Sequence, residues 1–226
     1  MIEFKKLNNI IGWSIFLIAS FVYLSTIEQT VSFWDCGEYI ATAYKLQVGH
    51  PPGAPLFLLI ANLFSHLALG DVTKVALMIN FMSALCSAAT IIFLFWTIQR
   101  IAKKIVTQSN NLVATLSATI GSLAYTFSDS FWFSAVEGEV YAMSSLFTAI
   151  VFWAIIRWES EVDTNPKANK WLVFIAYLIG LSIGVHMLSL LVIPAIVLIY
   201  YFKKFSFNFK GFILANLFAV LLLGII

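Results

Sequence analysis

The stretch Ala54–Leu69, APLFLLIANLFSHLAL, decides how the chain is arranged, because everything after it changes side according to whether it crosses a membrane. It is almost wholly apolar, yet Asn62, Ser65 and His66 fall at i, i+3 and i+4 and share one face of a helix. A polar stripe on an apolar helix suits a helix lying in the membrane interface. A crossing helix with its stripe packed inward is the alternative. Charge arbitrates between them. If the stretch lies flat, Lys5 and Lys6, Arg100, Lys103 and Lys104, Arg157, Lys167 and Lys170, and Lys203, Lys204 and Lys210 share the cytoplasmic side, leaving only Lys45 and Lys74 outside. If it crosses, only Lys5, Lys6 and Lys74 are cytoplasmic. Basic residues concentrate in cytoplasmic loops, so the flat arrangement is expected.

Outward from that stretch the chain reads as membrane helix. Hydrophobic residues make up 61% of it and charged residues 11%, with a mean hydropathy of +0.94. A soluble domain carries about 25% charged residues, so the deficit marks a polytopic membrane protein. Apolar runs cover Ile10–Ile27, Val75–Ile98, Leu112–Phe127, Val140–Trp158, Trp171–Phe202 and Phe212–Ile226. As one helix, Trp171–Phe202 would be about 48 Å long, too much for one crossing at modest tilt. Gly184, His186 and Pro194 predict a break near residue 186, giving short spans Trp171–Val185 and Leu188–Phe202.

The expected fold is therefore all-α. It is a polytopic transmembrane bundle of about seven spans with a cytoplasmic N-terminus, and residues 1–226 form a single domain. Two interfacial helices, about Asp35–Gln47 and Pro55–Leu69, occupy the first outer loop. The start, MIEFKKLNNIIGWSIFLIAS, has the basic-then-apolar form of a signal peptide. Its apolar run is long for one and no A-x-A site follows cleanly, so an uncleaved first span is expected. The last run stops at Ile226 without a polar anchor, which suggests the N-terminal part of a longer protein.

Chemistry belongs where the chain stops being apolar. Asp35 and Glu38, three residues apart, share a helix face in the first outer loop, flanked by Trp34 and Tyr39. Asp35 at the N-cap and Glu38 three residues on also suit a capping arrangement. A carboxylate beside a low-dielectric surface can act as a general base toward a hydroxyl, and the two roles are compatible. The run Gly49-His50-Pro51-Pro52-Gly53-Ala54-Pro55 forms either a rigid turn that aims His50 or an ordinary helix connector. A second outer loop, Ser128–Glu139, brings Asp129, Glu137 and Glu139 to the same side, followed by Tyr141. Solvated loop carboxylates, a metal site or acceptor binding would each account for these. His186, at the break, could face a phosphate or be a plain loop histidine.

Absences narrow the class. No Asp, Glu, Lys or Arg lies in the interior of an expected span, which argues against an ion-coupled transporter or a proton relay. There is no P-loop, HExxH, GxSxG or nucleotide-binding glycine motif. The net charge of +2 does not suggest nucleic acid as a partner. Cys36 in the loop and Cys86 inside an apolar run are not placed for a mutual disulfide, and no zinc-type spacing occurs.

Three segments together resemble a known family: Trp34-Asp35-Cys36-Gly37-Glu38-Tyr39, Gly49-His50-Pro51-Pro52-Gly53, and Phe131-Trp132-Phe133 through Glu137-Gly138-Glu139-Val140-Tyr141. The family is one of polytopic membrane proteins that long carried no assigned function, placed near the protein O-mannosyltransferases in the GT-C class of membrane glycosyltransferases. The resemblance implies transfer of a sugar from a polyprenyl-phosphate carrier to an acceptor hydroxyl, on a protein or a glycan, at the outer face. Asp35 would be the base, with Glu38 beside it. Trp34, Tyr39, His50, Glu137, Glu139, Tyr141 and His186 would bind substrate. No cofactor beyond the lipid-linked donor is implied, and metal dependence and oligomeric state stay open. A non-catalytic lipid-binding or envelope-assembly protein on the same scaffold is the alternative.

Overall fold

The computed structural model describes residues 2–106 and 111–225, with no strand among them. The Lys5 side chain, in the expected cytoplasmic segment before the first span, and Ile226, in the last expected span, lie outside the described residues. In chain order the helices are α1 Ile2–Ser25, α2 Cys36–Lys45, α3 Pro55–Ser65, α4 Val75–Ile105, α5 Asn111–Thr126, α6 Asp129–Ala135, α7 Val140–Glu161, α8 Lys170–Ile183, α9 Ile193–Lys204 and α10 Phe209–Ile225. Single 3-10 segments at His66–Ala68, Val72–Lys74 and Met187–Val192 join some of them.

Among the described residues, four segments are long and apolar enough to cross a membrane: Lys6–Ser25, Val72–Ile105, Val140–Glu161 and Met187–Lys204. Pro55–Ala68, Lys170–Ile183 and Phe209–Ile225 are apolar but shorter, and α5 has 16 residues. Length thus supports four crossings where the sequence suggested about seven. The break at residue 186 is real. α8 ends at Ile183, and His186 caps the next segment by accepting the Leu188 N–H on Nδ1 at 3.1 Å.

The long helix α4 is the axis, with α1, α3, α5 and α7 packed around it. Small residues let the backbones approach closely: Ala84 and Ala88 of α4, Ala19 of α1 and Ala118 of α5 are all fully buried. A second cluster on α7, α8 and the start of α9 is built on Val151, Ile155, Trp158, Ile175 and Val192. A third caps one end of the bundle, where α2 and α3 lie on the beginnings of α4 and α7 through Ile40, Phe57, Ile79, Val140 and Met143.

α3 corrects the expected surface pattern. Its polar residues Asn62 and Ser65 are buried, while Leu59, Leu63 and Leu67 are exposed. Asn62 Nδ2 donates to Ala43 O at 2.9 Å and Tyr44 O at 3.1 Å, carbonyls in the last turn of α2. Asn62 of the stripe therefore binds a neighbouring helix, while Ser65 bonds back to Asn62 O at 2.7 Å and His66 is exposed. At 11 residues α3 is about 17 Å long, roughly half a hydrocarbon core.

Candidate functional site

The capped end gathers most of the residues singled out from sequence. Asp35 stands at the N-cap of α2, but its carboxylate makes no capping bond, so the expected capping arrangement does not form. Its side chain is exposed. Glu38 turns instead to the His50 turn. Oε1 accepts the His50 backbone N–H at 2.6 Å and Oε2 lies 3.1 Å from His50 Nδ1. These bonds to His50 hold the Glu38 carboxyl below its ordinary range. Gly53 closes the turn with φ +78°, donating its N–H to His50 O at 2.9 Å. The turn thus aims His50 at α2, and the Tyr39 ring lies 5.7 Å from the imidazole.

The second loop is buried at its acidic end, while Asp129, at the start of α6, is exposed. Glu137 and Glu139 are 3% and 4% exposed, because Gly138 between them is pressed against α4 and α2. A Cβ on Gly138 would lie 2.8 Å from Asn80 Oδ1, 3.1 Å from Ile79 Cγ2 and 3.2 Å from Ile40 Cγ1. Burial raises the Glu137 carboxyl, against a Ser32 side-chain hydrogen bond, and its Oε2 has no partner among the described residues. Glu139 is pushed up to about 7, first by burial, then by the charges of Glu137 and Asp35. The Asp35 backbone N–H donates to Glu139 and tempers the rise, as does His50. A carboxyl near 7 can hold or release a proton at neutral pH. Gly138→Ala is expected to lower stability by about 1–3 kcal/mol, read as a lower melting temperature in detergent; an unchanged melt would mean the loop is not seated on α4.

Sequence reasoning missed the parts that seat these acids. Asn80 is fully buried on α4 and donates through Nδ2 to Glu28 O at 2.7 Å and Thr30 O at 3.0 Å. Glu28 N–H in turn donates to Val136 O at 3.1 Å, so α4 ties the two loops together. Cys36, given no role from sequence, is fully buried facing the backbone of Ser32 and Gly138, and burial raises its thiol. A buried asparagine early in an apolar helix was the one available signal, since such an amide needs partners.

Tyr141 connects this cluster to the membrane-depth part of the bundle. It belongs to the electrostatic surroundings of Tyr39, and its ring lies 5.4 Å from that of His186. Burial lowers the pKa of His186. With Nδ1 engaged at Leu188, Nε2 is the atom left to donate. The α8–α9 break is also fixed to α3, whose Leu56 N–H donates to Gly184 O at 2.7 Å. From Tyr141 a groove of about 420 Å³ runs between α4, α5 and α7, with Thr90, Thr97, Tyr125, Ser144, Ser145 and Thr148 among its otherwise apolar walls. On α7 it extends from Tyr141 to Phe152, about 16 Å.

Asp35, Glu38, Tyr39, His50, Glu137, Glu139, Tyr141 and His186 are thereby brought to one end. Trp34 is not drawn in: it is 87% exposed on left-handed backbone, φ +57°. Among the described residues no three His, Cys, Asp or Glu side chains are grouped to hold a metal ion.

Known proteins match most of this chain. It is 31% identical over 189 residues to a protein named protein O-mannosyl-transferase tmem260 from Dictyostelium discoideum, covering 80% of this chain. It is 28% identical over 170 residues to the mouse protein O-mannosyl-transferase TMEM260, covering 75% of this chain. In both cases the matched part is 22% of the relative's own length. No solved structure matches. The family described as the N-terminal domain of protein O-mannosyl-transferase TMEM260 matches residues 35–208, from the first acidic residue of the site to the connection between α9 and α10, and the chain belongs to that family.

Proposed function

We propose that the chain is the membrane-embedded part of an inverting glycosyltransferase of the GT-C kind, carrying a sugar, by the relatives' names mannose, from a polyprenyl-phosphate donor to a protein hydroxyl. The observation that carries this reading is Tyr141, shared by the acidic cluster and the apolar groove. It supports reading exposed Asp35 as the group at which an oily carrier and a watery acceptor meet.

Asp35 takes the acceptor proton as the hydroxyl oxygen attacks the anomeric carbon. The bond from that carbon to the carrier's phosphate oxygen breaks, and the lipid phosphate leaves with the electron pair. His50 and the Nε2 atom of His186 are the groups positioned to steady it. Glu38 holds the His50 turn, and Glu139 and Glu137 supply a proton-holding background beside the base. The orientation follows from the basic residues: N-terminus cytoplasmic, site on the periplasmic or lumenal face, with α5, α8 and α10 crossing as short helices in addition to the four long ones.

The rival reading is a non-catalytic lipid-binding or assembly role. It is favoured by the structural tasks of Glu38 and Glu139, which explain two of the acids without chemistry. Reconstitution of the full-length protein separates the two. Labelled mannose is expected to reach the acceptor from polyprenyl-phosphate mannose and not from a nucleotide sugar. Equal transfer from the nucleotide sugar, or none from either donor, would overturn the proposal.

A further inference from the structure

At the other end of the bundle, α1, α4 and α7 enclose a polar pocket that the proposed reaction does not use. Arg100 lies twenty residues beyond Asn80 on α4, about 30 Å along the helix. That distance is one hydrocarbon thickness, so the pocket sits at headgroup level of the opposite leaflet. Its volume is about 270 Å³, room for about nine waters at liquid density.

The lining is cationic and under-bonded. Arg100 and Arg157 both face the pocket. Arg100 Nη1 donates to Ser160 Oγ at 2.9 Å, and among the described residues no carboxylate lies within ion-pair distance of it. Arg157 donates Nε to Glu161 Oε1 at 2.7 Å and stacks over Trp153 and Trp171 at 5.5 and 5.0 Å. Glu161 is outside the lining and also accepts from Trp171 and Asn165. Two guanidiniums against the one carboxylate paired with Arg157 leave the pocket net positive. Gln99 is 6% exposed, and its Nε2 donor has no partner among the described residues. Trp96 Nε1 and Asn8 Oδ1, on the same walls, are likewise unpartnered. Buried polar atoms normally find partners, and here the missing partners cluster around one pocket.

We propose that this pocket binds a phosphate group, in the first instance that of an anionic phospholipid in the leaflet opposite the acidic site. The planar forks of Arg100 and Arg157 suit phosphate oxygens. The Gln99 amide and the Trp96 indole N–H are neutral donors to complete the shell after small side-chain rotations. The ring of tryptophans, Trp13, Trp96 and Trp153, sits at the depth where such residues border headgroups. The inference is independent of the reading of Asp35.

The test uses the protein in nanodiscs of phosphatidylcholine with and without phosphatidic acid, with retained lipid weighed by native mass spectrometry. Arg100→Gln is expected to cut phosphatidic acid retention about tenfold or more. Gln99→Leu, which leaves every charge in place, is expected to cut it about threefold and keeps the test alive if the arginine variant fails to fold. Lys103→Gln removes a charge outside the pocket and is expected to change nothing. Inorganic phosphate added in pure phosphatidylcholine separates the sources: a tryptophan fluorescence change lost in Arg100→Gln identifies free phosphate as a ligand, and silence with retained phosphatidic acid identifies the lipid. Equal retention in all variants with no phosphate response, or equal losses in Lys103→Gln and Arg100→Gln, would overturn the proposal.

Discussion

Asp35→Asn in the full-length protein is expected to lower the rate of sugar transfer by about 10²–10⁴-fold, the share a positioned general base supplies, while membrane insertion is kept and the melting temperature does not fall. The substitution keeps the shape and removes the basic oxygen. No hydrogen bond of the fold is lost with it, because the Asp35 carboxylate makes no capping bond and stands exposed at the start of α2. The neighbouring acids are poorer candidates for geometric reasons. Both Glu38 oxygens are committed to His50, one to its backbone and one to its ring. Glu139 is buried and already accepts the Asp35 N–H. Asp35 is thus the carboxylate of the cluster that an incoming hydroxyl can reach without breaking an existing bond. Transfer assays on the full-length protein, with a melt run in parallel, check this. Undiminished transfer by a normally folded Asp35→Asn protein would remove the base and favour the lipid-binding reading.

How much of this could be read from the chain depends on whether a feature is local. The break at residue 186 was legible, because Gly184 and Pro194 interrupt a run too long for one helix. The two short helices after α1 were legible for the same reason: Pro55 starts one and the polar Phe33–Glu38 segment precedes the other. The polar stripe of α3 was found, but periodicity reports that a face is polar and not what covers it. Asn62 was covered by the end of α2. The bond between Glu38 and His50 spans twelve residues and exists only because the turn folds back onto α2. The burial of Glu137 and Glu139 was least legible. It depends on Gly138 meeting Asn80 and Ile79, residues far off in sequence that look like ordinary helix. Length supports four of the seven expected spans, since apolar runs predict apolar helices and α5, α8 and α10 are apolar but short.

Stability should record the buried pair directly, and the sign can be worked out. The folded Glu139 carboxyl titrates near 7 against an ordinary value of 4.5. Between those values the folded chain keeps a proton that the unfolded chain has released, so stability falls as pH rises through that window and levels off above it. The loss is on the order of 1–3 kcal/mol. Glu38 and Asp71 do not mask it, because their depressed values place their contributions below the window. His186 does oppose it: its depressed value makes stability rise with pH toward neutrality. Comparison with Glu139→Gln cancels the histidine and isolates the acid. The glutamine carbonyl can still accept the Asp35 N–H, so the variant loses the charge without losing the bond. Melting curves from pH 5 to 8 are expected to show Glu139→Gln gaining on the native protein as pH rises, with a residual slope from Glu137, whose carboxyl burial also raises. Asp35→Asn should shift the native midpoint toward lower pH, since the Asp35 charge is one of the causes that raise Glu139. Parallel curves for native and Glu139→Gln proteins would mean that water reaches the second loop, and the acidic end would then be an open surface rather than a built site.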